Sequence, residues 1–597
     1  MNPVNLLPLY RRLIGSTLIS GLLLAALLPL GLISIQGISF QLVWGAQTLF
    51  HLLAVGLVCQ LIRVLAKQSG RVALLYLGGG FASLAISALV GALPIISRDA
   101  LIYHLAVPKW WLAAGRVVEL PWHEWSHFPL LISGAYAGFL QLGLERFTPL
   151  YHLSYLVLFA GLVMSFVHYK FQDAELSLWS GGIAVAMPLS VKLGSEPMAD
   201  LAVAVYFGLT IALFTVWAEL RGGVRALIPV GLALGLALST KYNALLAAVV
   251  TVPLAVLFLK RWHYPLPVVG RAIGMIGLLG AAVYFPWPLK NGIYTGNPFY
   301  PFLASVFGGA DELPFLGEVG PLRYRMEGYG EGVFDILLLP FRMLAFGRDD
   351  APQHFDGVLS PVLILALCSL LHRRRGESLP PWIRFFGGLC TLYFVLSLFL
   401  FYALVRYQMP VMFVILVLTA AGISALGDLR GGVHQAKLYR GLFAFQLIWC
   451  GWYCVGLLTK THAVEYFSST QTPEDYLRRH LGEYRVAETV NAKLPADAVV
   501  YLLFTGNRYF YYDRAVRGAY FSAAPILTAL KQHHSASAIA ATFQSMGVTH
   551  FAIHSRRTLE ALQTLEPTDR AVWSQFVQKH LRTIEETRGV GLYEFMR

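Results

Sequence analysis

Asp99, His104, His123, Glu124 and His127 lie in one polar, aromatic segment, residues 97–127, set between long apolar runs. A carboxylate in such a setting can accept a proton from an attacking hydroxyl or hold a cation. On a helix beginning near Asp99, Tyr103 lies one turn on and shares its side, with His104 next. The spacing of the histidines matches no strong zinc motif. They are therefore expected to act as hydrogen-bonding or structural groups and not as metal ligands. A second acidic group stands in Ser195-Glu-Pro-Met-Ala-Asp200. Pro197 fits a helix start that Glu196 and Asp200 would cap. Two carboxylates at the end of a membrane-embedded helix are nevertheless costly without partners, which makes them candidates for chemistry.

Three cations complete the set. Lys241, Lys290 and Arg406 each sit where an apolar run meets a polar turn. One such residue alone is well explained by a long side chain reaching to the interface. Three, expected on the same side of the membrane as the acidic groups, point to an anion. A lipid phosphate or diphosphate, held by charge-assisted hydrogen bonds, fits that description.

The elements that must position these residues are apolar. Of the 597 residues, 56% are hydrophobic and 13% charged, against about 25% charged in a soluble protein. Repeated apolar runs of membrane-crossing length predict a polytopic α-helical membrane protein. The net charge of +13, from 46 Lys and Arg against 33 Asp and Glu, follows from basic cytoplasmic loops and implies no nucleic-acid partner. The five cysteines all fall in apolar runs and form no disulfide framework.

Runs at 13–35, 41–65 and 72–94 are the first three expected spans. The basic loop Arg63, Lys67, Arg71 is placed in the cytoplasm, which puts Asp99 outside. Residues 100–115 are too short and polar to span and suit an interfacial helix. Runs at 129–144, 150–168, 177–192, 201–219, 226–240, 243–260 and 265–286 follow, the first of them of undecided crossing. An external stretch rich in Gly, Pro and charge covers 287–356, with an apolar piece at 333–346 suited to the interface. Spans at 357–372, 384–404, 407–427 and 440–459 bring the count to about thirteen, with the N-terminus retained and cytoplasmic and the C-terminus outside. The domain division expected is 1–460, membrane-embedded and catalytic with external loops 95–128 and 287–356, and 461–597, a small extracytoplasmic α/β domain. In the latter, strands are expected at 499–504, 549–554 and 590–596, and helices at 473–494, 535–546 and 568–581. The aromatic run Gly506-Asn-Arg-Tyr-Phe-Tyr-Tyr-Asp513 is expected to pack, with stacking on a glycan as the alternative.

The motifs, in order, resemble those of the GT-C glycosyltransferases, among them the protein O-mannosyltransferases and the bacterial aminoarabinose transferases of lipid A. Ser97-Arg-Asp-Ala-Leu-Ile-Tyr-His104 is similar to their first external loop, and Glu196-Pro-Met-Ala-Asp200 to the second acidic loop. Ser239-Thr-Lys241-Tyr resembles a turn between two later helices. Pro286-Trp-Pro-Leu-Lys-Asn-Gly-Ile-Tyr-Thr-Gly-Asn-Pro-Phe-Tyr-Pro301 resembles the Trp-x-x-Lys-Asn loop of many bacterial members, and Arg406-Tyr-Gln-Met-Pro410 their Arg-Tyr-x-x-Pro helix start. The resemblance spans roughly residues 72–430.

It implies a GT-C fold and an inverting transfer of a sugar from a polyprenyl-phosphate carrier to a glycan, lipid or protein acceptor, outside a bacterial inner membrane. Asp99 would be the base, with Glu196 and Asp200 as further catalytic candidates. Lys241, Lys290 and Arg406, with the adjacent Asn291 and Tyr407, would bind the carrier. Tyr103, His104, His123, Glu124 and His127 would contact substrate. No cofactor is firmly implied. A divalent cation is the one candidate, and Ala100, standing where many members have a second acid, puts it in doubt. The alternatives are an oligosaccharide ligase using a diphosphate-linked glycan, and a lipid or polysaccharide transporter. A transporter predicts inverted repeats that the sequence does not display.

Overall fold

The computed structural model describes residues 6–307, 320–372, 378–429, 435–518, 526, 529–530, 535–563, 565–587 and 589–596. The basic residues Arg373–Arg375 and Arg430, expected on the cytoplasmic side, lie outside the described residues. The chain divides into two compact units. One comprises residues 1–93, 114–117 and 128–468, and the other residues 94–113, 118–127 and 469–597.

The first unit is helical. Among the described residues, nine helices are long and apolar enough to cross a membrane, or ten if the bent pair Ala174–Val185 and Pro188–Gly194 forms one span. The stretch Ile38–Gly91 counts as one of the nine and carries both the second and third expected spans, with a short 3-10 turn at Gly70–Val72 between its two helices. Several other expected spans are shorter than a crossing. Residues 129–144 hold only the helix Leu131–Gln141, Ile228–Thr240 has 13 residues, and Pro361–Leu371 is a 3-10 helix. The run at 177–192 breaks at Met187–Pro188 with a 60° bend. Proline there lacks the N–H to continue the preceding ladder, yet suits the first turn of a new helix.

The helices Asp200–Glu219 and Val405–Gly427 are the most enclosed of the candidate spans, each with 89% of its most apolar window buried. They begin at or beside Asp200 and Arg406, so the central helices carry two of the charged candidates. A chain of polar side chains inside the unit is hydrogen-bonded, as a water-free interior favours. Gln47 donates to Tyr151 Oη at 2.7 Å and to Ser20 Oγ at 3.0 Å, and the hydroxyls continue through Tyr155 to Tyr206. Close helix packing sets the position of Lys241. A Cβ on Gly235 would stand 2.5 Å from Val283 Cβ and 2.6 Å from Gly280 O, and one on Gly231 2.6 Å from Leu279 Cβ. Glycines four apart thus let Ile228–Thr240 lie directly on Leu266–Tyr284.

The second unit contains a five-stranded mixed sheet, in the order β2-β1-β3-β5-β4. β1 (Val499–Leu503) pairs in parallel with β2 (Ala515–Arg517) and β3 (His550–His554). β3 and β4 (Leu581–Thr587) pair antiparallel with β5 (Val590–Phe595). Tyr501, Phe543, Phe551, Phe576 and Phe595 form its core with the helices Ala536–Ser545 and Pro567–His580. The helix expected over 473–494 is two, Pro473–His480 and Tyr484–Lys493, interrupted around Gly482.

Candidate functional site

In the second unit, Asp99 precedes a one-turn π-helix, Ala100–His104, closed by Leu105 N–H donating to Ala100 O at 2.9 Å. Such wide turns occur often at functional sites. Tyr103 Oη donates to Asp99 Oδ2 at 3.3 Å. The Tyr103 ring stacks on Trp125 with centroids 5.5 Å apart and lies 4.2 Å from the His104 ring. Asp99 is half-buried, whereas His104, His123 and His127 are buried. His123 Nε2 lies 3.0 Å from Ile102 O, so that nitrogen carries the proton and donates it. Burial pushes His123 down to about 4, which keeps the imidazole neutral. Trp110 and Tyr509 pack edge-on to it, and Glu124 lies near Tyr509.

The Gly506–Asp513 segment packs on this loop. Phe510 N–H donates to Leu101 O at 3.1 Å and Tyr511 Oη to Ile95 O at 2.8 Å. Lys109 Nζ donates to Phe510 O and Tyr512 O at 2.8 and 2.9 Å and pairs with Asp513 at 3.1 Å. The loop and the C-terminal residues therefore form one folded body.

In the first unit, Asp200 opens its helix and is fully buried. Its Oδ1 accepts from Lys241 Nζ at 2.8 Å. Lys241 caps the end of Ile228–Thr240. Its ammonium and the Arg406 guanidinium each lie 5.5 Å from the centre of the Tyr407 ring. Tyr407 is itself fixed, because its carbonyl accepts from Tyr393 Oη at 2.6 Å. Tyr242, next to Lys241, and Asn291, next to Lys290, both donate to Tyr300 O, at 3.1 and 3.3 Å. That shared acceptor joins the two lysine-bearing turns. Lys290 is buried, 5.3 Å from the Trp287 ring, and burial lowers its ammonium to about 7. Burial raises Glu196 to about 7, opposed by Lys192 and Arg406 and reinforced by Asp349 and Asp350.

Lys192, Asp349 and Asp356 were not among the sequence candidates. Lys192 Nζ lies 3.4 Å from Asp349 Oδ1 and 3.4 Å from Asp356 Oδ1. Lys192 ends an apolar run in which one charge is averaged away. The two aspartates stand in a loop where acidic residues are ordinary. Among the described residues, no three His, Cys, Asp or Glu side chains are grouped to hold a metal ion. Among those residues the donor set does not fit a metal ion.

No protein-family model matches the sequence, and no curated protein matches it as a relative. Solved structures do match by fold. ArnT from Cupriavidus metallidurans in the apo state aligns with a TM-score of 0.54 at 13% identity, over 86% of this chain and 97% of that one. The same protein bound to undecaprenyl phosphate aligns at 0.52 and 12%, over 87% and 97%. At that identity the likeness speaks for the fold. This chain is a polytopic α-helical membrane protein with the GT-C fold that its motifs resemble.

Proposed function

We propose that the protein is an integral membrane glycosyltransferase that moves a sugar from a polyprenyl-phosphate carrier to an acceptor hydroxyl at the outer face of the membrane. The observation that carries this reading is the cation group of the first unit. Lys241, held by Asp200, and Arg406 flank the Tyr407 ring, and Tyr300 O ties the Lys241 turn to the Lys290 turn. Fixed, partly enclosed cations suit a phosphate whose charge grows as it leaves. An anion beside Lys290 would restore the charge that burial withdraws. A neighbour of the same fold was solved with undecaprenyl phosphate bound, which supports the same ligand class here.

In this reading the acceptor oxygen attacks the anomeric carbon while Asp99 takes its proton. The bond from that carbon to the phosphate oxygen breaks, and polyprenyl phosphate departs with the electron pair. The product has inverted configuration. Tyr103 orients Asp99 through its hydroxyl. Asp200 acts through Lys241. His104, His123, Glu124 and His127 are the remaining acceptor-side candidates, and Asn291 and Tyr407 the remaining donor-side ones. The loop charges support a cytoplasmic N-terminus and a C-terminal α/β domain outside a bacterial inner membrane.

The test is mass spectrometry of lipid extracted from the purified protein, with titration by undecaprenyl phosphate and undecaprenol. A sugar-linked or free polyprenyl phosphate, and binding at least tenfold tighter for the phosphate than for the alcohol, is expected. Equal binding of phosphate and alcohol would overturn the proposal.

A further inference from the structure

The turn from Gly347 to Val358 is strained and heavily tethered within the first unit. Asp350, Phe355 and Asp356 have φ of 57°, 69° and 41°, in the left-handed region that residues other than glycine avoid. Strained backbone persists only where its surroundings over-determine it. Here three separate elements do so. Val358 O accepts from Leu189 N–H at 2.8 Å, on the helix Pro188–Gly194. Phe355 O accepts from Val405 N–H at 2.9 Å, one residue before Arg406. Tyr453 Oη donates to Asp349 Oδ2 at 2.7 Å, and Lys460 pairs with Asp350. Gly357 makes the fit close, since a Cβ there would stand 2.5 Å from Val405 Cγ2 and 3.1 Å from Leu189.

Lys192 is the cation at the centre. It lies 3.4 Å from both Asp349 and Asp356, with all three side chains at most 20% exposed. Asp356 Oδ1 also accepts from Asp350 N–H at 2.8 Å, which closes the turn on itself. Glu196 lies close enough to Lys192 for the two charges to interact. Without the ammonium, Asp349 and Asp356 would be partly buried like charges with no cation between them, an arrangement that repulsion opens.

We infer that Lys192 is a positioning residue that holds the 347–358 turn against Val405 and so fixes Arg406 for the donor phosphate. The inference rests on the proposed function for its second half only. The turn's attachment is a separate property and is measured separately.

The experiment uses the full chain in lipid nanodiscs, with Lys192→Met and Lys192→Arg compared to wild type. Hydrogen exchange reads the amides of Leu189 and Val405, which bond to the turn. Titration with undecaprenyl phosphate reads donor binding. Lys192→Met should speed exchange at both amides at least tenfold, leave exchange in the β-sheet unchanged, and raise the Kd at least tenfold. Lys192→Arg should return both to within about threefold. Should Lys192→Met fail to fold, Asp356→Asn removes one of the two partners and should move both readouts in the same direction by a smaller factor. Unchanged exchange at Leu189 and Val405 overturns the inference. Faster exchange with unaltered binding overturns the link to Arg406 and leaves the proposed function standing. If the wild-type chain does not bind the lipid, the proposed function and that link fall together, and exchange alone decides whether Lys192 holds the turn.

Discussion

Asp200 and Lys241 form a 2.8 Å ion pair in which the carboxylate is fully enclosed and the lysine side chain retains 17% exposure. The pair is asymmetric, so its two halves are expected to respond differently to substitution. Lys241→Met removes the hydrogen-bonded partner of a buried carboxylate, leaves it only the charge of Arg406 and the nearby His152, and should cost up to about 3–5 kcal/mol of stability. Asp200→Asn leaves a partly hydrated ammonium and should cost less. The double variant should recover part of the loss. Thermal unfolding of the three proteins in one detergent checks the order. A Lys241→Met protein as stable as wild type would show that the pair does not hold the site.

Glu196 predicts a pH dependence. Burial raises its carboxyl from 4.5 to about 7. Between those values the folded chain keeps a proton that the unfolded chain has lost. Stability from this group is therefore present at low pH, is lost as pH rises from about 4.5 to 7, and changes no further above that. The full difference is of order 3 kcal/mol at 1.36 kcal/mol per unit. Glu196→Gln removes it. Unfolding temperatures of wild type and variant should converge near pH 5 and diverge by pH 7.5, with the glutamine protein the more stable. Parallel curves would contradict the assignment.

The Tyr103 hydroxyl is 3.3 Å from Asp99 Oδ2, a long bond to a charged group. Tyr103→Phe keeps the ring that stacks on Trp125 and removes the hydroxyl that bonds Asp99. A loss of roughly tenfold in kcat is expected, in line with about 1.5 kcal/mol for a bond to a charged acceptor. An unchanged kcat would free Asp99 from this partner.

Lys109 joins the acidic loop to the Gly506–Asp513 segment through two carbonyls and one carboxylate. Lys109→Met should loosen that junction by about 1–3 kcal/mol. Limited proteolysis should then cut near Arg514 or Arg116 faster than in wild type. The same cleavage rate in both proteins would refute the role.

Much of this was legible beforehand, for physical reasons. Asp99 and Tyr103 are four residues apart, and local periodicity carries such pairs. The strands Val499–Leu503, His550–His554 and Val590–Phe595 stand out because apolar runs are bounded by turns. Two strands were not legible. Ala515–Arg517 has only three residues, and Leu581–Thr587 follows the helix ending at His580 with no turn residue between. Nine or ten helices among the described residues have the length and composition of a crossing against about thirteen expected, because Ile38–Gly91 counts once while carrying two expected spans, Ile228–Thr240 and Pro361–Leu371 are short, and the run at 177–192 breaks at Pro188. Lys192 and its aspartates are more than 150 residues apart, and no local pattern joins them. For the same reason nothing in the sequence grouped residues 94–113 and 118–127 with residues 469–597.

The most direct measurement is sugar transfer by Asp99→Asn, with the donor identified by mass spectrometry and the protein reconstituted in vesicles. A positioned general base contributes about 10²–10⁴-fold. Transfer should fall by that factor while undecaprenyl phosphate binding and thermal unfolding stay as in wild type. Transfer at the wild-type rate would contradict the role given to Asp99.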